Sequence, residues 1–439
     1  MPDTPPRLIP EPDNRTKASP SMRRVVGSFA ASNFVTTILR LIGGVLTSRF
    51  VDPIIMGQYN AIGLIQGYAP FLQIGIGNGL TRDLPYYIGR GEMDHAHRLV
   101  AAAQWWTLRV STLIGLVMAC VGFYHLLMGQ VDLAFGWWSY IVIVLFAIFG
   151  QQFLRSLFRT GGEFITLGTI NLIDGVLALV LIFFVWLSAW WGMCLRGMAV
   201  AAIGLLLLWR WRPIRVASQY DFRCLVDLAK TGIPIFAVGQ LLAWWNTLNA
   251  TLVLHHGDKT MLGLYALSNM AGPTVFLLPQ ALNSVIYPKM SSAFGKASSI
   301  RKLVKMTLKP MAVTIATCLV TVVLGWFAMP PIVRILLPKY IEGIEAAQWS
   351  LAAAGILAFS TVNNVFIVTK HQGRYALAII TGMIAYYGVL QALLLDGLDL
   401  SDFSIALLLG RSIFLLISYG MIGQMLWKES RNPKAAFNA

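Results

Sequence analysis

Three arginines and one aspartate lie inside long apolar stretches of this chain, where charged side chains are rarely found. Arg109 and Asp174 each lie about ten residues into their stretch, which is roughly 15 Å of helix and close to the middle of a bilayer. Arg411 lies eight or nine residues into its stretch, and Arg40 lies deep in the first one. A lone charge at the bilayer centre costs roughly 2.5 to 3.5 kcal/mol, so these four residues are candidates for function.

Two interpretations of these charges remain open. In the first, Arg40, Arg109 and Arg411 line a cationic cavity that binds phosphate, because a guanidinium stays charged and donates paired hydrogen bonds. In the second, Arg109 and Asp174 form a structural ion pair, Arg40 extends toward the membrane surface, and Arg411 has a packing role. Asp174 is also the candidate for coupling to an ion or a proton.

No pattern for catalysis or metal binding accompanies these residues. The sequence contains no Ser/His/Asp grouping, no phosphate-binding glycine loop and no paired carboxylates on a large polar loop, which predicts that the protein is not an enzyme. The close pairs His95/His97 and His255/His256 have no carboxylate or thiol at a spacing that would complete a metal site. The four cysteines do not occur at the paired spacings typical of disulfide frameworks or zinc sites. We expect no cofactor and no metal, while coupling to H⁺ or Na⁺ stays open.

The composition indicates that lipid is the solvent of the fold. Hydrophobic residues make up 57% of the 439 residues and charged residues only 12%, against roughly 25% charged in average soluble proteins. The apolar runs are too long and continuous for barrel strands, which predicts an all-α membrane protein. Twelve transmembrane helices are predicted, at about residues 26–48, 58–78, 100–124, 135–157, 165–187, 189–209, 232–254, 262–283, 307–329, 347–368, 376–396 and 403–427.

The basic residues predict the orientation of these helices. Of the 34 Lys and Arg residues, 26 fall in segments on the side of the N-terminus and five on the opposite side, with Arg196 counted among the five. Basic residues accumulate on the cytoplasmic side, so both termini are predicted to be cytoplasmic. Topology explains most of the net charge of +15. A nucleic-acid partner is therefore not required, and no soluble basic domain is present to bind one.

An internal repeat predicts two lobes. Met56-Gly57-Gln58-Tyr59 opens the second predicted helix and Leu262-Gly263-Leu264-Tyr265 opens the eighth, with Arg98-Leu99-Val100 and Lys302-Leu303-Val304 at corresponding positions downstream. Six helices per half give both halves the same orientation, so the two lobes should be related by an axis along the membrane normal, around a central cavity. The predicted domains are a disordered tail (1–24), the N-lobe (25–211), a cytoplasmic linker (212–229), the C-lobe (230–427) and a second tail (428–439).

The first helix pair resembles the polysaccharide transporter family of the multidrug/oligosaccharidyl-lipid/polysaccharide exporter (MOP) superfamily, the Wzx-type flippases. The residues that carry the resemblance are Val51-Asp52-Pro53-Ile54-Ile55-Met56-Gly57-Gln58-Tyr59, Gly75-Ile76-Gly77-Asn78-Gly79-Leu80-Thr81-Arg82 and Arg159-Thr160-Gly161-Gly162-Glu163. The family usually has Leu-Gly where this chain has Val51-Asp52. The two-lobe layout extends the resemblance over nearly the whole chain.

The resemblance implies export of undecaprenyl-diphosphate-linked oligosaccharide across the bacterial inner membrane by alternating access, for O-antigen or exopolysaccharide assembly. The implied partners are this lipid-linked substrate, membrane lipids and polysaccharide assembly proteins. A multidrug or cation antiporter of the same superfamily is the alternative, although an acidic cavity would suit it better. A membrane polysaccharide polymerase or ligase is a third possibility, for which a large Arg-bearing outer loop would be expected.

Overall fold

The computed structural model describes residues 22–272, 274–275 and 300–431. The predicted tails and the end of the eighth predicted span lie wholly or partly outside these residues. All regular elements of the described chain are helices, and their bounds are α1 Met22–Phe50, α2 Pro53–Tyr68, α3 Ile76–Gly89, α4 Met93–Leu127, α5 Val131–Leu145, α6 Arg155–Thr160, α7 Phe164–Val180, α8 Ile182–Leu187, α9 Ala189–Arg210, α10 Phe222–His256, α11 Lys259–Leu264, α12 Ile300–Leu336, α13 Ile344–Gly355, α14 Asn364–Val368, α15 Gln372–Leu393 and α16 Leu400–Arg431.

Ten helical segments among the described residues are long and apolar enough to cross a membrane. They coincide with ten of the twelve predicted spans, and several continue beyond the predicted apolar core; α10, for example, begins at Phe222 where the predicted span began at 232. Large apolar side chains such as Leu113, Leu116 and Val117 on α4 are more than half exposed. An apolar exterior of this kind suits a hydrocarbon solvent.

The second predicted span is broken rather than continuous. A 3₁₀ turn, Ala69–Gln73, follows α2, and Ile74 and Gly75 then adopt left-handed conformations with φ of 47° and 72° before α3 begins. A β-branched residue rarely adopts this conformation. The break explains why neither α2 nor α3 is long enough to count as a span. Irregular backbone at membrane depth is tolerated where protein surrounds it, and Gln73 at the break is buried and accepts a hydrogen bond from Thr107 (3.2 Å).

The described chain divides into two compact units. The first comprises residues up to Val51 together with Ile62–Gln240, and the second comprises Asp52–Ala61 and residues from Leu241 onward. This division differs from the predicted lobes at two places, because the start of α2 groups with the second unit and the first half of α10 groups with the first.

Glycine contacts between helices explain both differences. In the second unit, a Cβ on Gly57 would lie 1.6 Å from the carbonyl oxygen of Lys259, and a Cβ on Gly263 would lie 1.7 Å from that of Pro53. In the first unit, a Cβ on Gly232 would lie 1.9 Å from the carbonyl oxygen of Gly75. The backbones touch at these points, as small residues allow in membrane helices. Gly57 and Gly263 occupy equivalent positions of the sequence repeat.

Each unit has its own apolar interior. In the first unit, one cluster is aromatic and aliphatic and includes Phe153, Leu157 and Phe158, all essentially inaccessible. Within it, Phe146–Leu154 adopts a π-helical conformation between α5 and α6. In the second unit, a smaller cluster includes Cys318, Leu351 and Ala358.

Candidate functional site

A polar cavity of about 300 Å³ lies inside the second unit and contains the predicted residue Arg411. The helices α10, α13 and α16 and the segment that follows α11 contribute its lining. Most of the lining side chains are neutral and polar, and they are Asn246, Asn249, Tyr265, Ser268, Asn269 and Ser350. Amides and hydroxyls in otherwise apolar helices are costly unless they are hydrogen-bonded or hydrated, so their concentration at one place marks a site.

Two hydrogen bonds hold the guanidinium of Arg411 in place. One nitrogen donates to the backbone carbonyl of Ala353 (2.7 Å) and a second donates to the side-chain oxygen of Asn246 (2.7 Å). Both acceptors are neutral, and Arg411 is only 7% exposed. A guanidinium carries five N–H donors, so the two bonds orient the group and leave further N–H groups for a ligand.

A chain of hydrogen bonds fixes the neutral lining of the cavity. Tyr386 donates to Asn249 (2.7 Å), Asn249 bonds the hydroxyl of Tyr265, and Ser350 lies 3.4 Å from Tyr265 and 2.8 Å from Ser404. All five side chains are buried. Such a network is rigid when its members are satisfied, and it presents fixed donors and acceptors to a bound molecule.

The charge balance of this cavity determines what it can bind. Among its lining residues in the described chain, Arg411 is the charged one, and no carboxylate lies among them. A buried cation without an acidic partner is electrostatically unfavourable until an anion arrives. Phosphate or carboxylate groups match the fork geometry of the guanidinium, and the amides and hydroxyls suit the hydroxyls of a sugar.

Asp174 forms an ion pair with Arg40, so the interpretation in which it pairs with Arg109 is not the arrangement found in the structure. Asp174 is 2% exposed, whereas Arg40 is 48% exposed. One turn earlier on α7, Asn171 donates to Asn33 on α1 (2.8 Å). The two bonds join α1 to α7. Arg40 therefore has a carboxylate partner, while about half of its side chain remains exposed.

Arg109 does not lie beside this ion pair. It is exposed on α4, and its guanidinium carbon lies 5.4 Å from the centre of the Trp105 ring, which is a cation–π contact. The prediction placed Arg109 and Asp174 at one depth from their positions along the spans. Depth does not specify the face of a helix, and Arg109 falls on the exposed face of α4 while its neighbours Thr107 and Val110 are buried.

Two further arginines of the first unit are partly buried. Arg196 on α9 donates to the carbonyl of Ala178 (2.8 Å) and to the hydroxyl of Thr47, and so ties α9 to α7 and α1. Arg155 at the start of α6 has a buried Nε without a partner among the described residues. In the sequence, both arginines belong to the set of basic residues that predicts the orientation of the helices. The position of Arg196 seven residues inside the predicted span 189–209 was the available sign that it is not a surface charge.

The fold of the chain is that of MATE-type transporters of the MOP superfamily. An inward-facing multidrug resistance MATE family transporter matches with a TM-score of 0.71 at 12% identity, over 90% of this chain and 96% of that chain. A mutant of the Vibrio cholerae MATE transporter VcmN matches with a TM-score of 0.60 at 17% identity, over 92% and 99%. A MOP superfamily transporter from Pyrococcus furiosus, whose reversed pocket polarity suggests a different function, matches with a TM-score of 0.65 at 13% identity, over 92% and 96%.

These similarities concern the fold. No protein-family model matches the chain, and no curated protein matches it in sequence. The predicted fold class, an all-helical multi-pass membrane protein, is confirmed, and its fold matches that of MATE-type transporters. The predicted branch within the superfamily stays a prediction, as do the orientation of the termini and the identity of the membrane.

Proposed function

We propose that this protein carries an anionic, prenyl-diphosphate-linked oligosaccharide across the bacterial inner membrane by alternating access. The observation that carries the proposal is the cavity around Arg411, where a buried, oriented guanidinium is surrounded by neutral hydrogen-bonding side chains. The fold supports transport as the class of function, since the matched structures are described as transporters. O-antigen or exopolysaccharide assembly is the process that such a substrate would serve.

The chemistry of the cavity agrees with a sugar diphosphate. Arg411 would bind a phosphate oxygen with its remaining N–H groups, and Asn246, Asn249 and Ser350 would bond the adjacent sugar. A volume of about 300 Å³ is at the lower end of small-molecule sites, so it accommodates the diphosphate and the nearest sugar rather than a whole oligosaccharide. The prenyl chain would remain in the hydrocarbon of the bilayer while the headgroup crosses, so it would not have to leave an apolar environment.

Arg40 and Asp174 contribute to the proposal in a different way. In the first unit, the partly buried guanidinium of Arg155 lies within electrostatic range of Arg40 and of the buried carboxylate of Asp174. Because the balance there is also positive, an anionic substrate is favoured over a cationic one. Asp174 is the residue we assign to any coupling with H⁺ or Na⁺. Arg109 is exposed on α4 at about the middle of its predicted span, and its role in substrate binding stays a prediction.

Export of cationic drugs is the alternative, and the likeness to a multidrug resistance MATE transporter favours it. The charge of the cavity opposes it, since a cation would have to approach the unpaired charge of Arg411 in a low-dielectric site. The Pyrococcus furiosus protein, described as having a pocket of reversed polarity, indicates that this fold accommodates pockets of either polarity.

Ligand binding to the purified protein tests the choice. We expect a short-chain prenyl-diphosphate sugar to raise the thermal unfolding temperature of the wild-type protein in detergent and a lipophilic cation to leave it unchanged. Arg411→Gln should abolish the increase. The matched control is Arg334→Gln, since Arg334 is an exposed arginine on α12 outside the cavity. Stabilisation by the cation and not by the diphosphate would refute the proposal.

A further inference from the structure

A second polar cavity, of about 400 Å³, lies in the first unit between α3 and α10. Four charged residues line it in equal numbers of each sign: Arg82 and Asp83 on α3, and Asp227 and Lys230 on α10. None of the four forms an ion pair within the part of the chain that the structure describes. Opposite charges that face one cavity and remain unpaired are available for a ligand that carries both signs.

Helix geometry places these groups in rows that face the same space. Arg82 and Tyr86 are four residues apart on α3, as are Asp83 and Tyr87, and Asp227 and Lys230 are three apart on α10, so each pair shares a helix face. Partial burial, followed by the carboxylates of Asp83, Glu92 and Asp227, raises the pKa of the Tyr87 phenol. Two acids from different helices therefore lie near one tyrosine of the lining.

A tight helix crossing holds the cavity walls together. A Cβ on Gly79 would lie 2.1 Å from the carbonyl oxygen of Leu228, so the backbones of α3 and α10 are in contact about one turn from the charged residues. The two rows of side chains are consequently fixed relative to each other. A fixed arrangement lowers the ordering cost of binding a ligand between them.

The surface beside the cavity is apolar. Ile74 comes just before α3, Ile233 and Ile235 follow the lining residue Thr231 on α10, and all three isoleucines are more than a third exposed. The backbones of the two segments are in contact at Gly75 and Gly232. Phe71 and Phe236 stack edge to face there at 6.0 Å. A polar cavity that continues into an exposed apolar surface has the two-part chemistry of a lipid site, with a headgroup above and acyl chains below.

We propose that this cavity binds the zwitterionic headgroup of a phosphatidylethanolamine-type lipid. Arg82 and Lys230 would bind the phosphate, and Asp83 and Asp227 would accept hydrogen bonds from the primary ammonium group. The phenols of Tyr86 and Tyr87 add hydrogen-bonding capacity at the phosphate and aromatic faces for the ammonium. A lipid with only negative charge would bind less well, because it has no cationic group for Asp83 and Asp227. A lipid with a trimethylated amine would also bind less well, because it has no N–H groups to donate to these carboxylates.

Native mass spectrometry of the full-length protein with phosphatidylethanolamine, phosphatidylcholine and phosphatidylglycerol of identical acyl chains tests this assignment. We expect at least fivefold higher retention of phosphatidylethanolamine than of the other two lipids. The double variant Asp83→Asn/Asp227→Asn should reduce its retention to the level of phosphatidylcholine. Arg82→Gln/Lys230→Gln should weaken retention of all three lipids, because each of them carries a phosphate.

Matched controls separate this site from general charge effects and from transport. Asp94→Asn and Arg334→Gln change exposed charges outside the cavity and should leave the lipid preference unchanged. Arg411→Gln should also leave it unchanged, so failure of the proposed transport function would not affect this result. Equal retention of phosphatidylglycerol and phosphatidylethanolamine by the wild type, or an unchanged preference in the folded Asp83→Asn/Asp227→Asn variant, would overturn the assignment. Displacement of phosphatidylethanolamine by a prenyl diphosphate would overturn it as well.

Discussion

At the scale of single residues, Arg411 determines the polarity of the cavity in the second unit. Arg411→Lys keeps the positive charge but loses the fork that bonds Ala353 and a ligand together, so we expect at least about a tenfold weaker affinity for a prenyl diphosphate, or 1.4 kcal/mol. Arg411→Gln removes the charge and should weaken affinity by about a hundredfold, since hydrogen bonds to charged groups contribute roughly 1.5 to 3 kcal/mol. Isothermal titration in detergent measures both.

The stability of the same variant separates a binding role from a structural one. A buried guanidinium without a carboxylate partner is costly in the empty protein, so Arg411→Gln should unfold at the same or a higher temperature than the wild type. A large fall in the unfolding temperature, with binding intact at low temperature, would show that Arg411 is a packing residue.

The Arg40–Asp174 pair should respond asymmetrically to substitution. Arg40→Ala leaves a carboxylate that is 98% buried without its partner, whereas Asp174→Ala leaves an arginine that is already half exposed and can be hydrated. We expect Arg40→Ala to be the more destabilising change, by up to about 3 kcal/mol, the lower end of the range for broken buried pairs. Membrane abundance and thermal unfolding of the purified variants measure this.

The double variant Arg40→Ala/Asp174→Ala is the control for that pair. It leaves no unpaired carboxylate and should recover part of the stability that Arg40→Ala loses, which is the signature of coupling between two residues. Equal effects of the two single changes, with strict additivity in the double variant, would contradict the ion pair.

The sequence located these charged residues but not their partners. Arg40, Asp174 and Arg411 were recognisable because each interrupts an apolar run; Asp174 and Arg411 are buried, and Arg40 is the ion-pair partner of Asp174. Their contacts depend on helix rotation, which hydropathy does not specify in a helix that is apolar on every side. For this reason the sequence did not distinguish Arg40 from Arg109 as the partner of Asp174. Asn246 and Asn249 were not predicted as site residues because single amides in an apolar run are common.

At the scale of elements, glycine fixes the helix crossings. Gly57→Ala and Gly263→Ala each place a methyl group into a backbone carbonyl of the opposing segment, at 1.6 and 1.7 Å, so the helices must separate. We expect both variants to lower membrane abundance and the unfolding temperature. Gly423→Ala on α16 is the matched control. No atom lies within 4 Å of its added methyl group, and alanine favours a helix over glycine by about 1 kcal/mol.

The repeat motif predicted a relation between α2 and the segment at α11, and the glycine contacts supply its physical reason. The backbone of the opposing segment packs directly against Gly57 and against Gly263, where a side chain would not fit. This packing explains why glycine occupies the same place in both motifs. The break in the second span was not predicted. Gln58, Gln66 and Gln73 make this stretch less apolar than the other spans. No sequence pattern, however, predicts a left-handed conformation at Ile74.

At the scale of the whole molecule, ten predicted spans coincide with helices, and the fold matches transporters at 12% to 17% identity. Apolar run length is dictated by bilayer thickness, so it survives when sequence similarity does not. The superposition of the two halves, with Tyr59 over Tyr265, stays a prediction.

The orientation of the molecule is tested by reporter fusions. Fusions after Arg98, Arg215 and Lys305 should report the cytoplasmic side, and fusions after Asp132 and His256 the opposite side, because basic residues are retained in the cytoplasm. A cytoplasmic signal after Asp132 or His256 would contradict the assigned orientation.

Translocation in reconstituted vesicles tests the central claim most directly. The purified protein is placed in liposomes with a fluorescent prenyl-diphosphate oligosaccharide, and the fraction of label that becomes accessible to a membrane-impermeant quencher is followed with time. We predict that the wild type accelerates exchange of this anionic lipid between leaflets, that Arg411→Gln does not, and that Arg334→Gln behaves as the wild type. Exchange no faster than in protein-free vesicles, combined with protein-dependent uptake of a lipophilic cation, would contradict the account.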